Sequence, residues 1–230
     1  MKELSILFST EMVQAILEGR KTQTRRILKP QPSPDPARIS FYGGKFGWMP
    51  ESNSGKVGIF NPYGYKAKYG QKGDILWVKE AMYMDANDNW NYKADNTPFM
   101  FSLFASDEKI KEVHEWVNSR KLKSYGGMYM PKFAARIWLK ITDIRLERFQ
   151  SITEQDAIAE GVQVMPVYDA TTKQDQVRYR DYRKAEDNPK GRLFHSAKYS
   201  YFTLWDKING RGQHLQNPWV WVITFERFYK

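Results

Sequence analysis

The pattern of hydrophobic and polar positions predicts that strands and helices alternate along the chain. Residues 4–8 are mostly apolar and predict a first strand. Ser9 or Thr10 then caps a helix, and Gly19 ends it because glycine tolerates the backbone conformation that follows a helix. The apolar stripe of this helix consists of Met12, Val13, Ile16 and Leu17. The chain therefore opens with a strand followed by a short helix.

Two later stretches carry strong strand patterns. Residues 73–80 return to an apolar run after a turn, and residues 133–149 carry the longest alternating pattern of the chain. The phase of that alternation breaks near Asp143, which predicts a β-bulge or a bend in the strand. Such a break would suit the closure of a β-barrel.

Two helices and a final strand complete the regular pattern. One helix begins at Ser151 or Thr153 and stops at Gly161. Residues 199–208 predict another helix, and residues 217–228 predict the last strand. Separate β segments with interleaved helices predict an α+β fold, in which helices flank a small, partly closed β-barrel.

Three segments interrupt this pattern and are interpreted as insertions. Residues 30–65 contain alternating prolines and then glycines among aromatic residues, which predicts an irregular flap or a loose hairpin. Residues 84–130 contain a helix predicted over residues 107–120. Residues 164–197 are polar and charged without a clear period. We expect the insertions to form loops at the rim of one domain that spans residues 1–230.

The composition favours a nucleotide or nucleic-acid partner. The chain has 230 residues, a formal net charge of +10, and 8 Trp, 14 Tyr and 13 Phe. Positive charge attracts phosphate, and aromatic rings stack on bases. Alternatively, the aromatic residues fill the core and the lysines keep the surface soluble.

Several classes of site and location are not expected from the sequence. Cysteine is absent, which excludes disulfides, thiolate zinc sites and a cysteine nucleophile. His114, His195 and His214 show no ligand spacing, so we expect no metal and no cofactor. The apolar run at the N-terminus is too short for a signal peptide, and no segment approaches the roughly 18 apolar residues of a membrane span. We expect a soluble cytoplasmic protein without a membrane partner.

The densest chemical signal is the basic motif, residues 19–26, which reads Gly-Arg-Lys-Thr-Gln-Thr-Arg-Arg. Lys21 and Thr24 are three positions apart, a spacing that places side chains together in a helical turn and on opposite faces of a regular strand. A working pair therefore needs a turn or a bulge, and Gly19 tolerates the positive φ of such a turn.

The motif can supply a hydroxyl nucleophile with an amine beside it. A threonine hydroxyl needs a base to take its proton, and a lysine is such a base only when its pKa is lowered. The guanidinium groups of Arg20, Arg25 and Arg26 could lower the pKa of Lys21. The alternative is a solvated basic turn, or a patch that only binds phosphate.

The motif resembles the Gly-x-Lys-x-x-Thr-x-Arg signature of the ASCH domain family, whose members have a PUA-like barrel fold. Residues 73–80, 137–161 and 219–225 resemble other parts of this family. The stretch 205–209 before the last strand is similar to longer versions carried by phages and prophages. The resemblance covers roughly half of the chain, and the three insertions fall outside it.

The resemblance implies two classes of function. Some members of the family are amidohydrolases that remove the acyl group from N4-acetylcytidine with a lysine, a threonine and a glutamate. The resemblance places these residues at Lys21, Thr24 and Glu160, and it implies a modified pyrimidine nucleoside or nucleotide as the substrate. Other members bind RNA, so the alternative is a module that binds RNA or modified nucleic acid without chemistry.

Two mechanisms fit the three implied catalytic residues. In the first, Lys21 takes the proton of Thr24, Thr24 attacks the acyl carbonyl, and Glu160 protonates the departing amine. In the second, Glu160 activates a water molecule while Lys21 and Thr24 stabilise the oxyanion. The sequence does not separate the two mechanisms.

Five further residues are candidates for substrate binding. Arg20, Arg25 and Arg26 could hold phosphate, Trp77 could stack on a base, and Glu80 could accept a hydrogen bond from a base edge. Core packing is the alternative for Trp77, and a charge facing water at a strand end is the alternative for Glu80.

Overall fold

The computed structural model describes most of the chain, namely residues 1–32, 38–42, 45–49, 67–100, 107–119, 124–169, 173–183 and 193–229. These residues form an α+β fold that contains more strands than helices. The strands are β1 (Glu3–Leu7), β2 (Gln23–Ile27), β3 (Arg38–Tyr42), β4 (Lys45–Met49), β5 (Ile75–Lys79), β6 (Met82–Met84), β7 (Trp90–Tyr92), β8 (Ser124–Tyr125), β9 (Trp138–Arg148), β10 (Val164–Asp169), β11 (Gln174–Arg180), β12 (Leu193–Phe194) and β13 (Trp219–Phe228). The helices are α1 (Thr10–Leu17), α2 (Asp107–Asn118), α3 (Glu154–Ala159) and α4 (Ala197–Asn209).

A five-stranded sheet forms the centre of the fold, with the strand order β1-β5-β9-β13-β2. β1 and β5 run parallel, and the other neighbours are antiparallel. The four strands that the hydrophobic pattern predicts all lie in this sheet, which confirms them. The fifth strand, β2, was not predicted. It consists of the last residues of the basic motif and pairs with β13.

The long strand β9 contains the predicted irregularity. Thr224 of β13 pairs with Asp143, whereas Phe225 pairs with Ile141, so Thr142 is left without a partner in the register. This β-bulge confirms the break that the alternation predicts near Asp143. A bulge bends its strand and increases the local twist.

Both faces of β13 are buried, which explains its continuous apolar sequence. Trp221 and Ile223 pack into one hydrophobic cluster together with α1 and β5. Val220 and Val222 point the other way, as alternate residues of a strand do, into a second cluster with α3 and α4. The sheet therefore lies between two hydrophobic layers.

The segment 164–197 contains regular structure that the sequence interpretation missed. β10, β11 and β12 form a three-stranded antiparallel sheet instead of the expected loops. Val164, Tyr168 and Val177 are exposed, so burial does not impose a clear apolar alternation on these strands. Pro166 further weakens the strand signal, because proline lacks a donor for the ladder.

The other two insertions match their predictions in part. Helix α2 confirms the helix predicted over residues 107–120, and β6, β7 and β8 form a small sheet beside it. β3 and β4 form an antiparallel hairpin, which confirms the hairpin predicted within residues 30–65. The rest of that prediction lies outside the described residues, apart from residues 30–32.

The two edges of the central sheet approach each other through a side chain. Among the described strands, β1 and β2 form no ladder with each other, so the sheet is open. The Arg26 guanidinium on β2 nevertheless donates a hydrogen bond of 2.6 Å to the Leu7 carbonyl on β1.

Within the described part of the chain, no helix has both the length and the apolar character needed to cross a membrane.

Candidate functional site

The basic motif is held between the ends of two helices. The Lys21 amide donates to Ala15 of α1, and the Thr22 amide donates to Ala159 of α3, at N–O distances of 3.0 and 2.8 Å. Lys21 and Glu160 also form an isolated β-bridge. Gly19 has a φ of +75°, which confirms that the turn before Lys21 uses the freedom of glycine.

The Lys21 ammonium group is buried and uses all three of its donors. Its Nζ atom lies 2.8 Å from each of three acceptors, which are the Gln23 carbonyl, the Glu160 carbonyl and the Glu160 Oε2 atom. The side chain of Lys21 has no exposed surface, and that of Glu160 is 1% exposed. A lysine ammonium has three hydrogens, so this group is fully satisfied.

Glu160 joins Lys21 to a second buried cation. Its Oε1 atom lies 3.4 Å from Arg25, whose other terminal nitrogen pairs with Glu147 and Asp156 at 3.2 and 3.1 Å. Glu160 caps the C-terminal end of α3, where the helix dipole disfavours a carboxylate. The two cations offset this cost, and the network fixes the carboxylate in one position.

Burial shifts the proton affinities of this network. Loss of hydration lowers the pKa of Lys21; the Glu160 carboxylate opposes this shift, while Arg26 and Arg25 add to it. Burial also raises the pKa of Tyr201 well above its usual value, and the charge of Glu160 contributes to that increase. Burial thus disfavours the charged forms of Lys21 and Tyr201.

Thr24 and Glu160 face one cavity of about 300 Å³, which we call the Thr24 cavity. Its buried inner part includes Thr24, Glu160 and Tyr201, and its outer part includes the exposed Lys29 and Lys68. The cavity is lined by Met12, Thr24, Arg25, Arg26, Ile27, Leu28, Lys29, Lys68, Tyr69, Glu160, Tyr201, Trp205, Ile208, Asn209 and Trp221. Its volume lies at the lower end of the range for small-molecule sites.

Lys21 lies behind Glu160 and does not line the cavity. Within the described residues, no hydrogen bond joins Lys21 to Thr24, and the Thr24 hydroxyl has no hydrogen-bond partner. The fold thus brings Thr24 and Glu160 to one surface and connects Lys21 to that surface through the Glu160 carboxylate.

The three predicted arginines have different environments. Arg25 is enclosed by its carboxylate partners, with a side chain that has no exposed surface. Arg26 lines the cavity, lies over the Phe8 ring at 5.0 Å, and has a buried Nε atom without a hydrogen-bond partner among the described residues. Arg20 pairs with Glu18 and donates to the Gly161 carbonyl outside the Thr24 cavity. Arg25 and Arg26 both line the cavity and both have a buried Nε atom without a hydrogen-bond partner among the described residues, but only Arg25 is also paired with carboxylates there.

Trp77 and Glu80 do not line the Thr24 cavity. Glu80 is 1% exposed and receives two hydrogen bonds of 2.9 Å from the Arg136 guanidinium. Burial raises the pKa of Glu80, and the Arg136 charge and hydrogen bonds oppose that shift. Trp77 is partly buried on β5, with the Lys79 ammonium 5.7 Å from its ring. Neither residue contacts Thr24 or Glu160 through this cavity.

We expect Glu80→Gln to destabilise the fold without changing the binding of a ligand in the Thr24 cavity. The amide retains one acceptor, so the second hydrogen bond from Arg136 is lost inside the protein. The free energy of unfolding should fall by about 1–3 kcal/mol, measured by urea denaturation. Lys140→Gln, at an exposed pair with Glu226, is the control and should change it by less than about 0.5 kcal/mol. Unchanged stability together with weaker ligand binding would contradict this expectation.

Gly161 sets the distance between the end of α3 and Lys21. Its φ is +86°, and a Cβ atom at this position would lie 2.9 Å from the Lys21 Cβ and 3.0 Å from the Ala15 Cβ. Real Cβ atoms do not approach so closely, so glycine is required for both its conformation and its size. The Lys21–Glu160 bridge depends on this close approach.

We expect Gly161→Ala to cost more stability than a glycine substitution at a similar backbone angle elsewhere. Gly73→Ala is the matched control, because Gly73 has a φ of +90° and nothing within 4 Å of the added Cβ. The control should lose about 1 kcal/mol of unfolding free energy for the backbone strain alone. Gly161→Ala should lose at least about 1 kcal/mol more. If denaturant titrations give equal losses of unfolding free energy for the two variants, the close approach of Gly161 to Lys21 does not contribute to stability.

The structure adds site residues that the sequence interpretation missed. Tyr201 and Trp205 of α4 both line the cavity, and Lys68 and Tyr69 approach it from the segment before β5. The spacing of Tyr201 and Trp205, four positions apart on a predicted helix, indicates a shared face and could have identified them as a pair. Nothing in the sequence around residues 68 and 69 indicates proximity to Thr24.

Comparisons with known proteins found no match to this chain. No family model, no curated protein and no solved structure matches this chain. The site is therefore interpreted from its own geometry and from the sequence motifs.

Proposed function

We propose that the protein is an ASCH-type amidohydrolase that removes the acyl group from an N4-acylated cytosine, as the base, nucleoside or nucleotide. The observation that carries the proposal is that Thr24 and Glu160 line one cavity, with Lys21 bound to the Glu160 carboxylate behind it. These are the three residues that the family resemblance implies, and 139 positions separate Lys21 from Glu160 in the sequence.

The proposal includes a PUA-like, partly closed barrel for the central sheet. Two features support it. The β-bulge in β9 bends the sheet near its middle. The Arg26 side chain spans the gap between the edge strands β1 and β2. Together they curve the sheet and connect its edges without a direct strand pairing.

In the proposed mechanism, Glu160 carries the proton and Thr24 is the nucleophile. The Glu160 carboxylate takes the hydroxyl proton of Thr24, and the Thr24 oxygen forms a bond to the acyl carbon. The carbon–nitrogen bond then breaks as Glu160 returns the proton to the N4 nitrogen, which releases cytosine as its amine and leaves an acyl ester on Thr24. Water, activated by the same carboxylate, hydrolyses the ester.

Lys21 is a positioning residue in this mechanism. Its three hydrogen bonds hold the Glu160 carboxylate and the adjoining backbone in place. Burial lowers the pKa of Lys21, whose ammonium group lies 2.8 Å from the Glu160 Oε2 atom. This contact positions the carboxylate that acts as base and acid in the proposed mechanism.

The second candidate function is binding of RNA or modified nucleic acid without chemistry. It is favoured by the charge of the cavity, which is lined by Arg26, Lys29 and Lys68 in addition to Arg25, whose charge is offset by its carboxylate partners. In that case the cations would provide most of the binding free energy for the nucleic acid, and the Thr24 hydroxyl would contribute little to it.

An assay with N4-acetylcytidine tests the proposal. The purified protein should release cytidine and acetate in equal amounts, measured by chromatography with mass detection, and Glu160→Gln should abolish the release. Acetylated cytosine and the 5′-monophosphate should be included as substrates. If none of the three is deacylated while the protein is folded by circular dichroism, the hydrolase proposal is wrong and the binding function remains.

A further inference from the structure

The Thr24 cavity carries more positive charge than its own carboxylates neutralise. Arg25 is paired with three carboxylates, and its charge is therefore offset inside the protein. Arg26, Lys29 and Lys68 also line the cavity, and none of them forms an ion pair with a described residue. Three cations at one cavity without carboxylate partners favour an anionic ligand.

Arg26 is a further sign of this preference, because within the described residues it lacks the carboxylate ion pairs that Arg25 has. Its guanidinium is half-buried, and burial lowers its pKa below the usual value. One terminal nitrogen donates to the Leu7 carbonyl, while the buried Nε atom has no acceptor in the described part of the chain. A buried donor without a partner is costly, so the geometry leaves a position for an acceptor on the ligand.

The cations lie outside the reacting end of the cavity. Thr24, Glu160 and Tyr201 are each at most 3% exposed, whereas Lys29 and Lys68 are exposed at the opening. The Trp221 and Tyr69 rings and several apolar side chains also line the cavity, and such surfaces suit the faces of a pyrimidine. A ligand with its acyl group at Thr24 would therefore direct its far end toward the lysines.

We propose that the preferred substrate is a mononucleotide, with the 5′-phosphate of an N4-acylated cytidine bound by Lys29 and Lys68 and assisted by Arg26. This inference rests on the proposed function and narrows its substrate class. The 5′-phosphate is the anionic group of the nucleotide and lies at the end of the molecule away from N4, as the exposed lysines lie away from the buried Thr24 and Glu160. Charge-assisted hydrogen bonds to phosphate favour binding of the nucleotide over the nucleoside.

The test compares N4-acetylcytidine with its 5′-monophosphate as substrates. The KM of the monophosphate should be about tenfold lower, with a similar kcat, because the phosphate contacts do not change during the reaction. The advantage should decrease when the salt concentration is raised from about 0.05 M to about 0.5 M. Equal KM values for the two substrates at low salt would overturn the proposal.

Matched variants separate these lysines from the general charge of the protein. Lys29→Gln combined with Lys68→Gln should raise the KM of the monophosphate to about that of the nucleoside and so remove its advantage. Lys72→Gln combined with Lys173→Gln removes the same charge from exposed positions outside the cavity and should retain the advantage. If the Lys72/Lys173 variant reduces the advantage of the monophosphate as much as the Lys29/Lys68 variant does, the proposal of a phosphate site is wrong.

Binding measurements separate failure of this inference from failure of the hydrolase proposal. Calorimetry with cytidine and cytidine 5′-monophosphate requires no turnover. One outcome is that neither acylated substrate is hydrolysed, the monophosphate binds about tenfold more tightly than cytidine, and the Lys29/Lys68 variant loses this preference. That outcome would support the phosphate site and contradict the hydrolase proposal. A short single-stranded oligonucleotide with one acetylated cytidine is the third ligand. Tighter binding of this oligonucleotide than of the mononucleotide would overturn the choice of a mononucleotide.

Discussion

Replacing Lys21 by methionine should lower the free energy of unfolding by about 3–5 kcal/mol, the cost typical of removing one partner from a buried ion pair. The substitution removes the ammonium group that lies 2.8 Å from the Glu160 carboxylate, which is 1% exposed, and leaves Arg25 at 3.4 Å as its cationic partner among the described residues. It also leaves the Gln23 and Glu160 carbonyls without the lysine donor. Urea unfolding, followed by tryptophan fluorescence, measures the loss.

A second substitution shows whether the unpaired charge causes this loss. Combining Lys21→Met with Glu160→Leu removes both charges, and Arg25 keeps its pairs with Glu147 and Asp156. The double variant should recover at least about half of the stability lost by Lys21→Met, because apolar replacements of a buried ion pair are often close to neutral. A loss below about 1 kcal/mol for Lys21→Met alone would show that the pair contributes little to the fold.

Replacing Thr24 by alanine should reduce kcat for deacylation by at least about a thousandfold, because the reaction loses its nucleophile. Substrate affinity should change by less than about threefold, since the cavity walls and the cations remain. Thr24→Ser retains a hydroxyl at the same position and should keep measurable turnover. Quenched-flow measurements on acetylcytidine separate the chemical step from binding.

Thr22→Ala is the matched control for this variant. Thr22 is exposed and lies two positions away in the same motif, and its backbone hydrogen bonds do not depend on the side chain. It should retain full activity. If Thr24→Ala also retains full turnover, water is the nucleophile, and Glu160→Gln becomes the deciding variant. If Thr24→Ala and Glu160→Gln are both as active as the unchanged protein, the proposed mechanism is wrong.

The sequence predicts the parts of this fold in which burial imposes a pattern. Strands β1, β5, β9 and β13 contain many buried residues, so they appear in the sequence as apolar runs or, in β9, as an alternation of apolar and polar residues. Capping chemistry identifies α3, where Thr153 and Asp156 form a reciprocal capping box. The bulge in β9 is visible because it changes the phase of the alternation.

The parts that were missed have no such local signal. β2 is a strand although its central residues include Arg25 and Arg26, because the Arg25 charge is offset by carboxylates from distant segments. A sequence window around Arg25 contains none of these partners. The same limit applies to the cavity, since Tyr201 and Lys68 become neighbours of Thr24 only in the complete tertiary structure.

For the site, the motif alone indicates a lysine and a threonine, and the family resemblance supplies Glu160. In the structure, Glu160 lies beside Lys21, and Thr24 and Glu160 both line the Thr24 cavity. It also changes the expected geometry, because Lys21 contacts Glu160 rather than Thr24. The spacing of Lys21 and Thr24 could not reveal this, since Lys21 precedes the strand that contains Thr24.

The position of β13 between β9 and β2 has a consequence for synthesis of the protein. β2 is made early and β13 late, yet among the described strands β13 is the partner of β2 in the central sheet. On the ribosome, β2 therefore has no partner in this sheet until the segment of β13 has been synthesised. Pairing of segments so distant in sequence is intrinsically slow. We expect the Thr24 cavity to form only after β13 has joined β2 in the sheet.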